Sequence, residues 1–141
     1  MARWVLSGST VFFVTALGVV GHAGQAKPAA ANAAAKALKN PVPASVASVG
    51  AGKAVFAKYC LTCHGAEGKG DGAGAPKDVH PADLTDAEWK YGASDGEIFA
   101  NIHDSIGPKF DMKSWKSRMT DAEIWSVVNY LRSIAAKPGS P

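Results

Sequence analysis

Apolar residues recur at helical spacing in three segments of the chain. The first set, with Ser48 as the expected N-cap of its helix, is Gly52, Val55, Phe56 and Tyr59. The second set is Ile98, Phe99 and Ile102. The third set is Ile124, Val127, Val128, Leu131 and Ile134, and it ends before Pro138. No segment alternates apolar and polar residues as a strand would, so the pattern predicts an all-α fold.

Three Ser or Thr residues are followed by Glu at capping-box spacing, which marks helix starts. The pairs are Ser94 with Glu97, Thr120 with Glu123, and Thr85 with Glu88. The first two pairs precede the second and third apolar sets. The tetrapeptide Thr-Asp-Ala-Glu stands at both 85–88 and 120–123. We therefore expect a short helix around Trp89 as well.

Residues 1–26 have the pattern of an export segment. Arg3 precedes an uncharged, largely apolar stretch at 4–21, and small residues suited to signal-peptidase cleavage follow it. The stretch is also about as long as the shortest membrane-spanning helices, so two interpretations stay open: a cleaved signal peptide, or an anchor through 4–21. Both predict a periplasmic or otherwise exported protein, free or tethered to the inner membrane.

Residues 27–48 are rich in Ala, Pro and Lys and contain almost no large apolar side chain. This composition is typical of a linker, with a fraying Ala-rich helix at 29–38 at most. The folded domain is therefore predicted at 49–137, and we expect it to fold without the first 48 residues.

The net charge of +3 comes from the flanks of the chain. Between 49 and 135 lie all 12 acidic residues but only ten basic ones, which leaves about −2. A nucleic-acid-binding domain would carry its basic patch within the fold, so the charge distribution argues against that class.

The chemistry of the chain is concentrated in Cys60-Leu-Thr-Cys63-His64, which holds its only 2 cysteines. This is the spacing of c-type haem attachment. Thiols at i and i+3 lie on one side of a helical turn, where both reach the two vinyl groups of one haem. The following histidine then supplies the proximal iron ligand. Cys60 and Cys63 are thus predicted to bind haem c covalently, and His64 to bind its iron.

Three other kinds of site could use the residues of this motif. A structural zinc site needs a fourth ligand, for which His80 or His103 would have to serve. A thioredoxin-like dithiol needs a βαβ context, which the sequence lacks. A simple disulfide leaves His64 unexplained.

On these residues the segment 52–135 resembles the class I c-type cytochromes. The matching pieces are 52–56, 59–65, 67–72, 95–99, 120–125 and 128–132. The resemblance implies a small fold of three to five helices around one covalent haem. It also implies that the first and last helices cross closely, with Gly52 at the contact and Phe56 and Tyr130 packed around it.

The resemblance further implies a second axial ligand on the loop before the last helix. Met112 stands there and is the expected distal ligand, although Lys113 replaces the proline that often follows the family's methionine. Met119 precedes a helix cap and is expected in the core. His80 or His103 as a second histidine ligand remains the alternative.

Two further features concern the surroundings of the expected haem: the loop after the motif and the basic residues near Met112. Glycines at 65, 68, 70, 72 and 74 are expected to let the backbone approach the porphyrin edge, and Pro76 or Pro81 to place the carbonyl that accepts the His64 ring N–H. The basic residues near Met112 would form a positive rim that steers an acidic partner. They are Lys109, Lys113, Lys116 and Arg118.

An iron with both His64 and Met112 bound has no open position, which suits electron transfer. The sequence thus predicts a periplasmic monohaem electron carrier and not an enzyme, with redox proteins as partners. The alternative is a haem-bearing subunit of a larger dehydrogenase or oxidase complex. A peroxidase or sensor with a displaceable Met112 was the third possibility.

Overall fold

The computed structural model describes residues 1, 29–106 and 112–136. Within these residues the chain forms five helices and no strand, which confirms the all-α prediction. The helices are α1 (Ala29–Ala37), α2 (Val46–Tyr59), α3 (Leu61–His64), α4 (Asp95–Asp104) and α5 (Asp121–Ile134). A long segment without helix, 65–94, connects α3 to α4.

The fold is organised around the crossing of α2 and α5. At Gly52 the helices are so close that a Cβ would lie 2.0 Å from the carbonyl oxygen of Ser126. Beside this contact the rings of Phe56 and Tyr130 meet with their centroids 5.2 Å apart. The predicted crossing, with Gly52 at its centre, is therefore confirmed.

Helix α4 packs on the same core through its own apolar face. Phe99 stacks on Trp125 of α5 at a centroid distance of 4.2 Å. The largest fully buried side chains belong to three apolar residues of α5: Ile124, Val127 and Val128. All three predicted apolar sets therefore contribute to one core. Residues of the segments that follow α3 and α4 pack against that core.

Two of the predicted caps are present. Ser94 with Glu97 and Thr120 with Glu123 form reciprocal capping boxes at the starts of α4 and α5. The prediction for Ser48 is wrong. Helix α2 begins earlier, at Val46, with Ser45 as its N-cap, and Ser48 occupies the N3 position of that capping box.

The predicted short helix after Thr85 is also absent, since residues 81–94 contain turns and bends but no helix. The Thr85 hydroxyl lies 2.6 Å from a carboxylate oxygen of Asp83, and the Thr85 amide donates to the same oxygen at 2.8 Å. The Trp89 indole N–H donates to the carbonyl of Asp86. The threonine thus stabilises a turn instead of capping a helix.

The segment predicted as a linker makes contacts that an extended spacer would not. Helix α1 packs against α4, and Ala35 is buried there. Downstream of α1, Asn40 donates from its amide to the Asn129 side-chain oxygen at 2.9 Å. The apolar pattern of the sequence does not predict these contacts, because they use a small residue and an amide in place of large apolar side chains.

Residues 2–28 lie outside the described part of the chain, and with them the predicted export segment and its alternative as an anchor. Among the helices that the structure describes, none is long and apolar enough to cross a membrane.

Candidate functional site

Cys60 is the single residue that joins α2 to α3. It is the C-cap of α2 and the N-cap of α3, and its carbonyl accepts bonds from the amides of Cys63, at 3.2 Å, and His64, at 2.9 Å. This turn brings the two cysteines of the motif onto one short helical segment, as the spacing predicted.

Both thiols are free and half-buried. Burial, with a smaller effect of the neighbouring Cys63 thiol, raises the pKa of Cys60 to about 12. The part of the chain that the structure describes contains no strand, so it lacks the βαβ context of a thioredoxin-like dithiol.

The His64 ring is held by the backbone of a distant loop. Its Nδ1 lies 3.2 Å from the carbonyl oxygen of Ala82, which only accepts, so the ring N–H at this position donates. Burial lowers the pKa of His64, and the bond to Ala82 opposes that shift. The bond fixes the tautomer and leaves Nε2 with a free lone pair, the arrangement that a metal-ligating imidazole requires.

The carbonyl that orients His64 is that of Ala82, the residue directly after Pro81. Of the two prolines expected to place this carbonyl, Pro81 is adjacent to it and Pro76 is not. A glycine contact keeps this part of the loop in place. Gly70 has φ +76°, and a Cβ there would lie 2.3 Å from the Pro81 carbonyl oxygen.

The alternate glycines after the motif pair with the motif's own backbone. Three amides donate to three carbonyls in reverse order: Gly70 to His64 at 2.9 Å, Gly72 to Cys63 at 3.1 Å, and Gly74 to Thr62 at 2.9 Å. A Cβ at Gly72 would lie 2.4 Å from the Thr62 oxygen, so side chains would prevent this approach. These glycines approach the C-terminal carbonyls of α3, a contact that the sequence interpretation did not include.

The two methionines occupy different environments. Met112 is half-buried against the core, and its carbonyl accepts a bond from the Ser105 hydroxyl. Met119 is 5% exposed and lies within the core, as predicted. Both methionines lie between α4 and α5, outside any helix, but of the two only Met112 is partly accessible.

The other candidate histidines are engaged elsewhere or exposed. His80 is exposed. His103 has its Nδ1 2.8 Å from an Asp104 carboxylate oxygen and its Nε2 3.7 Å from one of Asp121. Among the described residues no three His, Cys, Asp or Glu side chains converge as ligands for a metal ion.

The predicted basic rim is only partly available. Lys113, Trp115 and Arg118 are among the residues that line a surface hollow of about 270 Å³. Lys116, in contrast, lies 3.4 Å from the carboxylate of Asp104, which offsets its charge. Lys109 lies outside the described residues.

The donor set fits a covalently bound haem. Two unpaired thiols stand three residues apart, the next imidazole has one nitrogen fixed by a carbonyl, and a half-buried thioether is present in the loop before α5. These are the groups that two thioether bonds and a His/Met-ligated iron use.

Comparison with known proteins gives the family of this region. The family model for cytochrome c matches residues 49–135. The cbb3-type cytochrome c oxidase subunit CcoP of Rhodobacter capsulatus is 36% identical over 98 residues, which cover 65% of this chain and 31% of that protein. The FixP subunit of Azorhizobium caulinodans is 27% identical over 99 residues, 70% of this chain and 31% of the relative. The chain thus spans about a third of the length of these relatives.

The fold is also similar to that of solved structures. A chain of the Kuenenia stuttgartiensis reducing HAO-like protein complex Kustc0457/Kustc0458 has a TM-score of 0.63 and 25% identity, covering 70% of this chain and 50% of that one. The KustC0563 c-type cytochrome has a TM-score of 0.50 and 27% identity, covering 60% of this chain and 98% of that one.

Proposed function

The chain belongs to the cytochrome c family, and from this premise we propose that it is an exported, periplasmic electron carrier with one haem c. In this proposal Cys60 and Cys63 form the thioether bonds, His64 is the proximal iron ligand and Met112 is the distal one. The protein transfers single electrons between redox proteins and has no catalytic residue of its own.

The observation that supports this proposal best is the bond between His64 and Ala82. A histidine directly after two free, half-buried thiols has its Nδ1 bonded to a carbonyl, which leaves Nε2 for the iron. The glycine amides that pair with the motif's carbonyls hold the backbone of the same segment. The chain thus pre-orients the attachment site through its own backbone.

The chemistry follows from the ligand set. When bound, haem supplies a one-electron Fe(III)/Fe(II) couple. His64 and Met112 would both bind the iron, so that dioxygen or peroxide would find no open coordination position, and the soft thioether of Met112 would favour the ferrous state. The Trp115 ring, three residues after Met112, packs on Tyr59 of α2 with the two centroids 5.6 Å apart.

A second candidate function comes from the relatives. CcoP and FixP are named as subunits of cbb3-type cytochrome c oxidases, and the match covers only 31% of each. By analogy the chain would be a haem-bearing subunit docked on a larger oxidase or dehydrogenase. Gel filtration of the exported protein from whole cells distinguishes the two: a carrier elutes at a monomer mass no greater than that of the 14.5 kDa chain with its haem, whereas a subunit elutes within a large complex.

Haem attachment is tested by replacing the two thiols. The Cys60→Ala/Cys63→Ala double variant, co-expressed with the haem-attachment machinery, should show no haem-stained band on a denaturing gel. Each single variant should retain one thioether. A stained band from the double variant would contradict covalent attachment through these residues.

The distal ligand is tested with the two methionines as a matched pair. Met112→Ala should keep its covalent haem but lose the weak near-infrared sulfur-to-iron band of the oxidised protein, and its reduction potential should fall. Met119→Ala should keep the band and lose stability by about 2–5 kcal/mol, because its side chain is buried. Survival of the band in Met112→Ala would return His80 or His103 to consideration.

A further inference from the structure

Ser105 has a backbone conformation that its residue type does not favour. It is the C-cap of α4, with φ 83° and ψ 167°. Among the described residues it is the one non-glycine with positive φ. This region of backbone space is occupied almost entirely by glycine. A serine here, where glycine would fit without strain, suggests that the side chain is needed.

The Ser105 side chain is directed into the protein and has a specific partner. Ser105 is buried, and its hydroxyl donates to the carbonyl of Met112, seven residues later in the chain. This bond spans the segment 106–111 and joins the end of α4 directly to the residue proposed as the distal ligand.

Two further bonds fasten the residues just after Met112 to the end of α4. The Ser114 hydroxyl donates to the His103 carbonyl at 2.6 Å, and the Trp115 amide donates to the Ile102 carbonyl at 3.1 Å. The last carbonyls of a helix have no partner within it, so here the loop supplies their donors. Ser105 makes the one bond of this group that reaches Met112 itself.

We propose that Ser105 is a positioning residue for Met112. By holding the Met112 carbonyl against the end of α4, it fixes the backbone from which the thioether extends and lowers the freedom of the loop to withdraw that ligand. The inference rests on the proposed function, in which Met112 binds the iron. It assigns no contact between Ser105 and the haem.

The test uses the full-length holoprotein and the variant Ser105→Gly. This change removes the hydroxyl, which should weaken the ligation by Met112. It also relieves the strained backbone conformation, which should stabilise the fold. If Ser105 positions Met112, the sulfur-to-iron band should be lost at a lower urea concentration than in the native protein, and at a lower pH when the pH is raised. The fraction lacking sulfur ligation should rise on the order of five- to tenfold, the effect of one hydrogen bond. Global unfolding, followed by the helical signal, should stay unchanged or shift to higher urea.

Ser105→Ala and Ser133→Ala complete the design. Ser105→Ala removes the same hydroxyl and keeps the backbone strain, so it should weaken both ligation and the fold, and it decides the question if the glycine variant is not recovered. Ser133→Ala removes a hydroxyl that donates to the Tyr130 carbonyl at 2.6 Å on α5, and ligation should not change.

Two results separate the inference from the function on which it rests. If the native protein shows no sulfur-to-iron band, Met112 is not the ligand and the proposed ligand set fails. If the band is present and resists pH and urea equally in native protein and both Ser105 variants, Met112 remains the ligand and the positioning role is overturned.

Discussion

Gly52 and Gly96 serve the same geometric purpose at two helix contacts of very different strength. A Cβ at Gly52 would lie 2.0 Å from the Ser126 carbonyl oxygen of α5, and one at Gly96 would lie 1.9 Å from the Ala35 carbonyl oxygen of α1. Both distances are far too short for a real side chain, so in each case two helices meet backbone to backbone.

The surroundings of the two contacts differ. Beside Gly52 lie Phe56, 2% exposed, and Tyr130, 6% exposed. Beside Gly96 the α1 side contributes Ala35 as its buried residue, while Leu38 stays 46% exposed. Because stabilisation follows the apolar area removed from water, close approach alone does not make a contact strong. We infer that the α2–α5 crossing supports the fold and that α1 adds little to it.

The largest effect is expected at the α2–α5 crossing. Gly52→Ala should lower the free energy of unfolding by about 2 kcal/mol or more, because its new methyl group meets the backbone of α5. Gly50→Ala is the matched control on the same helix, since a Cβ at Gly50 meets nothing within 4 Å. It should stabilise by about 0.5–1 kcal/mol through helix propensity. Urea unfolding of both holoproteins measures the difference, and equal effects would contradict the close crossing.

An amide network also joins α5 to the segment before α2 and to the first turn of α2. The Asn129 amide donates to the Val42 carbonyl and to the Ser48 hydroxyl, each at 3.1 Å, and its oxygen accepts from Asn40. Asn129 is 6% exposed, so its loss leaves buried partners unsatisfied. Asn129→Ala should therefore cost about 1–3 kcal/mol in the full chain.

A shortened chain gives the control for Asn129. We predict that residues 49–137, exported behind an unrelated signal peptide, fold and hold haem without the first 48 residues. In that chain the partners Asn40, Val42 and Ser48 are missing, so Asn129→Ala should cost clearly less than in the full chain. An equal cost in both would mean that Asn129 acts within α5 alone, and a haem-free or aggregated product would move the domain boundary upstream.

Helices α4 and α5 were predictable because their evidence is local. An apolar face at helical spacing directly follows a capping box in each, and both caps form as expected. The two copies of Thr-Asp-Ala-Glu show why the cap alone is not sufficient. After Glu123 an apolar face follows for three turns, whereas after Glu88 the chain reaches Gly92 within four residues. Without a face to bury, capping chemistry does not repay the cost of helix nucleation.

The sequence indicates candidate ligands for the site but not the groups that hold them in place. The two thiols and the imidazole lie within five consecutive residues, so their spacing alone indicates haem attachment. The Ala82 carbonyl that fixes His64 belongs to a loop placed by glycine contacts, and Asn40 lies 89 residues from its partner Asn129. Such pairings depend on the path of the folded chain, about which local periodicity carries no information.

The smallest effect is expected at the α1–α4 contact, and it tests the comparison most directly. Gly96→Ala in the full chain should displace α1, because the new methyl group overlaps the Ala35 backbone. Since little apolar area is buried there, the loss should stay below about 1 kcal/mol and be partly offset by better helix propensity. In a chain that begins at residue 40 and so lacks α1, the same change should cost nothing. Urea unfolding of the four holoproteins gives the coupling, and faster amide exchange in 33–38 of the full-length variant shows that α1 has moved. A cost above 2 kcal/mol in the shortened chain would mean that Gly96 supports the core itself, and the distinction between the two glycines would fail.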